Sequence, residues 1–256
     1  MLDEILAATR RRLPAVVARS DQIREAAAAR ATPPSFTAAL AGPGLSVIAE
    51  VKRRSPSRGD LALDLDPVAQ ARAYATGGAA AISVLTEPEY FSGSRHDLEA
   101  IVEAVENPVL RKDFIVDPVQ VWEGAAWGAS AILLIVAALG DTELTGLIQV
   151  ADEAGLSALV EVHTDDEARR ATAAGAAVVG VNNRDLADFS VDLGTAERIA
   201  KLLDGAAVTV AESGIFDRAD AARMSAAGFD AVLVGEALVR APDPVSLVAE
   251  LRSGTR

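Results

Sequence analysis

Apolar residues fall in short, nearly unbroken runs along this chain, and each run is followed by a longer stretch of helical period. The runs are "LSVIAEVK" (45–52), "AAISVL" (80–85), "NPVLRKDF" (107–114), "ASAILLIV" (129–136), "LSALVEV" (156–162), "AAVVGVNN" (176–183), "AVTVAES" (207–213) and "DAVLVGE" (230–236). Runs apolar on both faces suit strands of a parallel sheet covered on both sides, and their starts are spaced by about one strand, crossover helix and return. Helical patterns occupy the intervals 66–79, 117–129, 141–155, 164–176 and 217–229, most opening on Asp or Thr as N-cap and closing at Gly. Eight such units over residues 45–256 predict an eight-stranded parallel (β/α)8 TIM barrel, with a doubly wound open sheet as the alternative arrangement. Residues 1–44 read as helix followed by a "TPPSFTAALAGPG" connection, an N-terminal helical extension packed on one barrel domain spanning 1–256.

Composition narrows the function classes. The 256 residues are half apolar and contain no cysteine, which excludes a disulfide scaffold, a thiolate nucleophile and a Cys-ligated metal and suits a reducing cytoplasm. The N-terminus lacks a continuous apolar core of the signal-peptide kind, and the longest apolar run, 131–139, is far short of the ~20 residues that span a bilayer. A net charge of −13 argues against nucleic-acid binding. The expectation is a cytoplasmic monomer or weak homo-oligomer acting on a small molecule; an anionic ligand would need a local positive site. His96 and His163 lie far apart without a third ligand, so no metal is expected and both are placed at the surface or rim.

Polar residues at the strand ends carry the chemistry. Glu50 and Lys52 share a face of the first strand; Lys112 ends the third, Glu161 the fifth, Asn182 the sixth and Glu212 the seventh. A single charge after an apolar run usually begins a solvated loop. Five strands doing so at one end of a barrel point to a site assembled from strand ends. The glycine turns "AESGI" (211–215) and "LVGEAL" (233–238) follow strands seven and eight, where barrels often cradle phosphate with backbone N–H groups; this marks Ser213, Gly214, Gly235 and Glu236. Ser55, in "SPSRG", could add a hydroxyl to the same anion.

The ordered motifs "AEVKRRSPSRG", "YFSGS", "LRKDFIVDP", "LVEVH", "GVNNRDL", "VAESGI" and "LVGEAL" resemble the signature of the indole-3-glycerol phosphate synthase family. The resemblance covers about Val47 to Arg240. It implies a cofactor-free ring closure of 1-(2-carboxyphenylamino)-1-deoxyribulose 5-phosphate with loss of carbon dioxide and water. Motif by motif, it implies Lys112 as general acid, Glu161 as acid/base partner, Lys52 as second catalytic lysine, and Glu50, Asn182 and Ser213 in support. A lysine set among cations would be a more acidic, better donor. An aromatic substrate half needs an apolar slot, for which Phe91, Phe114, Leu133 and Leu186 are candidates, with ordinary packing as the other reading. Arg184 either pairs with the substrate carboxylate or bridges to Asp185. Rival readings are an aminoaldose isomerase, which needs a carboxylate pair more than two lysines, and a silent binding barrel.

Overall fold

The computed structural model describes residues 1–56, 59–185, 189–203 and 205–253. Eight strands close into a parallel barrel: β1 (Ser46–Val51), β2 (Ala81–Leu85), β3 (Val109–Lys112), β4 (Ala131–Ile135), β5 (Ser157–Val162), β6 (Val178–Asn182), β7 (Val208–Glu212) and β8 (Ala231–Val234). Each pairs with its neighbours in sequence, and β1 pairs with both β2 and β8, which excludes the open sheet. The strands are shorter than the apolar runs because their ends leave the ladder. At β3, for example, Asp113 accepts the N–H of Phe114 at 2.8 Å, a local turn that ends the run four residues after it begins. Among the described residues no helix is long and apolar enough to cross a membrane.

The helices begin where their caps dictate. Helix α1 (Leu2–Val17), α2 (Ser20–Ala28) and α3 (Phe36–Leu40) precede the barrel, and α4 (Pro67–Thr76) follows β1. Asp66 accepts the N–H groups of Val68 and Ala69 while Pro67 sets the first helical φ. The short α5 (Pro88–Phe91) and α6 (Arg95–Ala104) follow β2, and α7 (Pro118–Trp127) follows β3 with Asp117 as its cap and Gly128 left-handed at its end. In α8 (Asp141–Glu153) the predicted cap is displaced by one residue: Gly140 is the N-cap, and Glu143 accepts its N–H at 2.8 Å. Helices α9 (Asp165–Ala173), α10 (Gly194–Ile199), α11 (Arg218–Ala226), α12 (Glu236–Arg240) and α13 (Pro244–Ser253) complete the outer ring.

Alternation along the strands divides the barrel interior by height. Ile48, Ala81, Leu110, Ala131, Leu159, Val178, Val208 and Ala231 fill its lower part, and the small alanines leave a hollow there. Helix α3 occupies that hollow. Phe36 and Leu40 are fully buried against the interior cluster, each contributing about 1.5–3 kcal/mol of transfer free energy. The segment read from sequence as a bare connection therefore holds the plug of the barrel's lower end, helped by the Ser46 hydroxyl donating to the carbonyl of Leu40 at 3.3 Å. Chemistry is left to the upper end.

Candidate active site

The C-terminal ends of the strands converge on one pocket. It is lined by Glu50, Lys52, Ser55, Phe91, Lys112, Phe114, Leu133, Glu161, Asn182, Arg184, Glu212, Ser213, Gly214, Gly235 and Glu236, the whole set of sequence candidates except Leu186, which lies outside the described residues. Inward alternation brings them there. Register pairs Asn182 with Glu212 and sets Glu161 beside Gly180, two residues before Asn182 on its strand, so the carboxylates and amide of three adjacent strands all point to the interior at the C-terminal end.

Lys112 is the hub. Its Nζ lies 2.9 Å from Glu161 Oε2 and 3.1 Å from Glu212 Oε2. The electrostatics reverse the expectation of a lysine among cations: burial disfavours the ammonium, but Glu161, Glu212 and Glu50 together outweigh it and hold its pKa well above the ordinary lysine value. The two carboxyls are driven apart. Burial opposes the charge of Glu161, yet Lys112, His163 and the Asn182 amide overcome it and hold the carboxyl down at about 2. Glu212 is pushed up to about 7, by burial first and then by repulsion from Glu161 and Glu50, with Lys112 only partly offsetting them. Among the described residues its Oε1 has no hydrogen-bond donor; it is buried against Gly180, where any Cβ would collide with that oxygen. The glycine inside "VVGVNN" is thus there to admit a carboxylate, a role the sequence signalled only as a glycine interrupting a strand.

A second ion pair stands on β1, where Lys52 Nζ donates to Glu50 Oε1 at 2.5 Å. The expected local positive basin is consequently not bare: Lys52 and Lys112 are both matched by carboxylates, because buried cations need partners. Asn182 is fixed by accepting the N–H of Arg184 at 3.0 Å, and Arg184 donates to the carbonyl of Phe189 at 3.1 Å. Phe91 and Phe114 meet with centroids 5.9 Å apart, forming one wall of an apolar slot floored by Leu133. Phe91 is placed by Glu87, a fully buried cap of α5 that accepts the N–H groups of Glu89, Tyr90 and Phe91.

The two glycine turns differ. Gly214 has φ +78° and follows Ser213 at +63°, a left-handed pair that turns the chain after β7. Gly235 is not left-handed, with φ −120°; it is small for a reason of space, since its Cβ would lie 2.5 Å from Glu50 Oε1 and 3.1 Å from Lys52 Nζ. Glu236 pairs its carboxylate with Arg240 at 3.5 Å.

Sequence reasoning missed two contributions. Met1, the N-cap of α1, and Leu2 and Ile5 within it reach the pocket, tied down by Arg12, which lies 3.2 Å from Glu87 and 2.8 Å from Glu89. The i, i+3 spacing of Leu2 and Ile5 was the available signal. His163 stands at the rim but is turned inward, its side chain only 10% exposed and 3.4 Å from Glu161.

A sequence profile of the indole-3-glycerol phosphate synthase family matches residues 2–251. The chain belongs to that family. Relatives named indole-3-glycerol phosphate synthase include one from Lactiplantibacillus plantarum, 47% identical over all of this chain and 99% of its own length. Another, from Mycolicibacterium smegmatis, is 51% identical over 98% of this chain and 93% of its own. The family match includes the extension as well as the barrel, so α1 and α3 are part of what the synthases share. Solved structures add the fold alone: a 3-hexulose-6-phosphate synthase superposes with TM-score 0.67 at 16% identity, covering 83% of this chain and all of that one. A thiamine phosphate pyrophosphorylase from Pyrococcus furiosus gives 0.62 at 19%, covering 82% of this chain and 95% of that one.

Proposed function

We propose that the protein catalyses the reaction for which its family is named, converting 1-(2-carboxyphenylamino)-1-deoxyribulose 5-phosphate to indole-3-glycerol phosphate with release of carbon dioxide and water. The observation that carries this reading is the Lys112–Glu161–Glu212 cluster beside an aromatic slot, with a second lysine on β1. The carboxyphenyl ring lies against Phe91 and Phe114. The phosphate is taken by backbone N–H groups near Gly214 and at the start of α12, whose first N–H groups have no intrahelical acceptor. Since the carboxylate of Glu236 already serves Arg240, its backbone is what it offers to an anion.

Ring closure forms a bond from the ring carbon bearing the carboxylate to the ribulose carbonyl carbon. Charge develops on the carbonyl oxygen, and Lys112 donates to it; the nascent alkoxide is more basic than any lysine amine, so the proton follows the electrons. Glu161 and Glu212 keep that ammonium charged and aimed. Carbon dioxide then leaves from the ring carbon and its bond pair restores aromaticity. In the dehydration, Glu161, ionised at neutral pH, takes a proton while Lys52 protonates the departing hydroxyl, held by Glu50. Asn182 keeps Glu161 in plane.

Incubating the purified protein with the carboxyphenylamino substrate, with no metal or nucleotide added, tests the reading through release of carbon dioxide and the indole absorbance of the product. Both in equal amounts support it. Substrate binding without turnover would make this a silent barrel, and aldose–ketose interconversion of an aminoaldose phosphate would make it an isomerase.

A further inference from the structure

His163 follows Glu161 by two residues on the chain, at the point where β5 gives way to α9. Its imidazole lies between two carboxylates. Nδ1 is hydrogen-bonded to Glu167 Oε2 at 3.3 Å, and Nε2 stands 3.4 Å from Glu161 Oε1, close enough for an ion pair but too poorly aligned for a hydrogen bond. Glu167 is itself immobilised: its carboxylate accepts the backbone N–H of His163 at 2.6 Å, and its own N–H donates to the Thr164 hydroxyl that caps α9. Glu161 is held on its other side, since Oε2 takes Lys112 at 2.9 Å. The row therefore runs Glu167, His163, Glu161, Lys112, from the helix cap to the centre of the barrel.

A neutral imidazole has one N–H and one lone pair. Placed here, it would satisfy one carboxylate and turn its lone pair on the other, an unfavourable contact in a site largely closed to water. Only the imidazolium faces both carboxylates with positive charge. We infer that His163 is a positioning residue whose imidazolium attracts Oε1 of Glu161 through its charge, so that the carboxylate of the proposed acid/base group is held between ring and lysine. This rests on the proposed role of Glu161 and deepens it.

The direction of titration agrees. Burial lowers the proton affinity of the ring, but Glu167 and Glu161 outweigh it and the pKa lies above the ordinary histidine value of 6.5. The charged groups facing the ring are Glu161 from β5 and Glu167 from α9, with Glu212 of β7 adding negative potential. Asp165, on the same helix as Glu167, is occupied by Arg198. The grip is complete below pH 6.5 and is lost as pH rises through the raised value, when the ring drops its proton and its hold on Oε1.

The chain has two histidines, so an imidazole NMR titration has two signals, and the one absent in His163→Gln is assigned at once. In substrate-free wild-type protein it is expected to titrate above 6.5, and in Glu167→Gln, which keeps an acceptor for the backbone N–H but removes the charge, at lower pH. In the turnover assay His163→Gln should lower kcat by about 10- to 100-fold with little change in KM, the signature of a misplaced reacting group, and should lose the alkaline limb whose midpoint matches the NMR value. A midpoint at or below 6.5, or a variant with wild-type kcat and pH profile, overturns the inference. Because the titration needs no substrate, an inactive wild-type protein with a raised midpoint would refute the proposed function and leave the imidazolium bridge standing.

Discussion

Arg111 and Lys112 are consecutive residues of β3, both cationic and both withdrawn from bulk water, and they sit in two different networks on opposite faces of the same strand. Outside the barrel, Arg111 is 3% exposed and spends every direction of its guanidinium: 2.6 Å to the carbonyl of Gln120, 3.0 Å to Asp113, 3.5 Å to Glu123, with its carbon 4.0 Å from the centre of the Trp127 ring. Inside, Lys112 has two carboxylates and an open pocket above it. Burial of a charge is therefore no mark of function by itself. A planar, multiply anchored guanidinium makes a fixture, whereas a compact ammonium with rotatable protons can change partners when a substrate arrives.

The largest expected effect tests the inner network. Lys112→Met keeps the aliphatic stem and removes the charge; kcat should fall by about 10²–10⁴-fold while circular dichroism stays that of the wild type. Near-normal turnover would place Lys112 with Arg111 as a fixture. Next comes the converse, Arg111→Met. It leaves Asp113 buried without its cation and Glu123 with only Arg19 at 4.0 Å, and breaking a buried pair of this kind costs about 3–5 kcal/mol, read as a lower Tm. The kcat of the folded fraction should stay far closer to wild type than that of Lys112→Met. Equal losses of turnover would mean that β3 transmits strain from its outer to its inner face.

How much of this was legible in the sequence follows the same division. The barrel was legible because near-continuous apolar runs and capped helices at regular spacing have few other solutions, and the site was legible because period-two alternation projects strand-end residues to one place. What alternation cannot supply is who sits beside whom across strands. Nothing in "LRKDF" says that Lys112 will find two glutamates from β5 and β7, so its electrostatic setting was misjudged although its position was not. The same holds for His163, whose partner Glu167 is recruited by a helix cap, and for α3, five residues too short to announce a periodicity.

A third, smaller effect separates the two glycine turns. Gly235→Ala places a methyl where Glu50 and Lys52 meet, without backbone strain, so kcat should fall by about tenfold through displacement of that pair while Tm changes little. Gly214→Ala meets both a left-handed backbone and the Val191 side chain, so it should lower Tm, at a cost of about 1 kcal/mol or more, and raise KM for the phosphate substrate. If both variants raised KM alone, the Glu50–Lys52 pair would have no part in turnover.

The smallest effect is also the finest test of the two networks, because each contains one carboxyl that titrates in the same direction. Glu123, outside, is raised by burial first, with Arg111 opposing; Glu212, inside, is raised to about 7. A carboxyl with a raised folded pKa binds more protons in the folded than in the unfolded chain between the two values. Stability therefore falls as pH rises through that window, from the ordinary 4.5 to about 7 for Glu212. Glu161 contributes the reverse, stability that is lost only as pH falls toward about 2. Replacing Glu212 with glutamine should flatten the decline of stability between pH 4.5 and about 7, and replacing Glu123 changes the slope in the same direction, so denaturation midpoints alone do not distinguish them. Turnover does. If ionised Glu212 helps to anchor the Lys112 ammonium, kcat of the wild type has an acid limb near pH 7 that Glu212→Gln abolishes and Glu123→Gln leaves in place. An acid limb that moved equally in both variants would mean that the two faces of β3 titrate as one unit, and the separation of fixture from working group would fail at the strand that defines it.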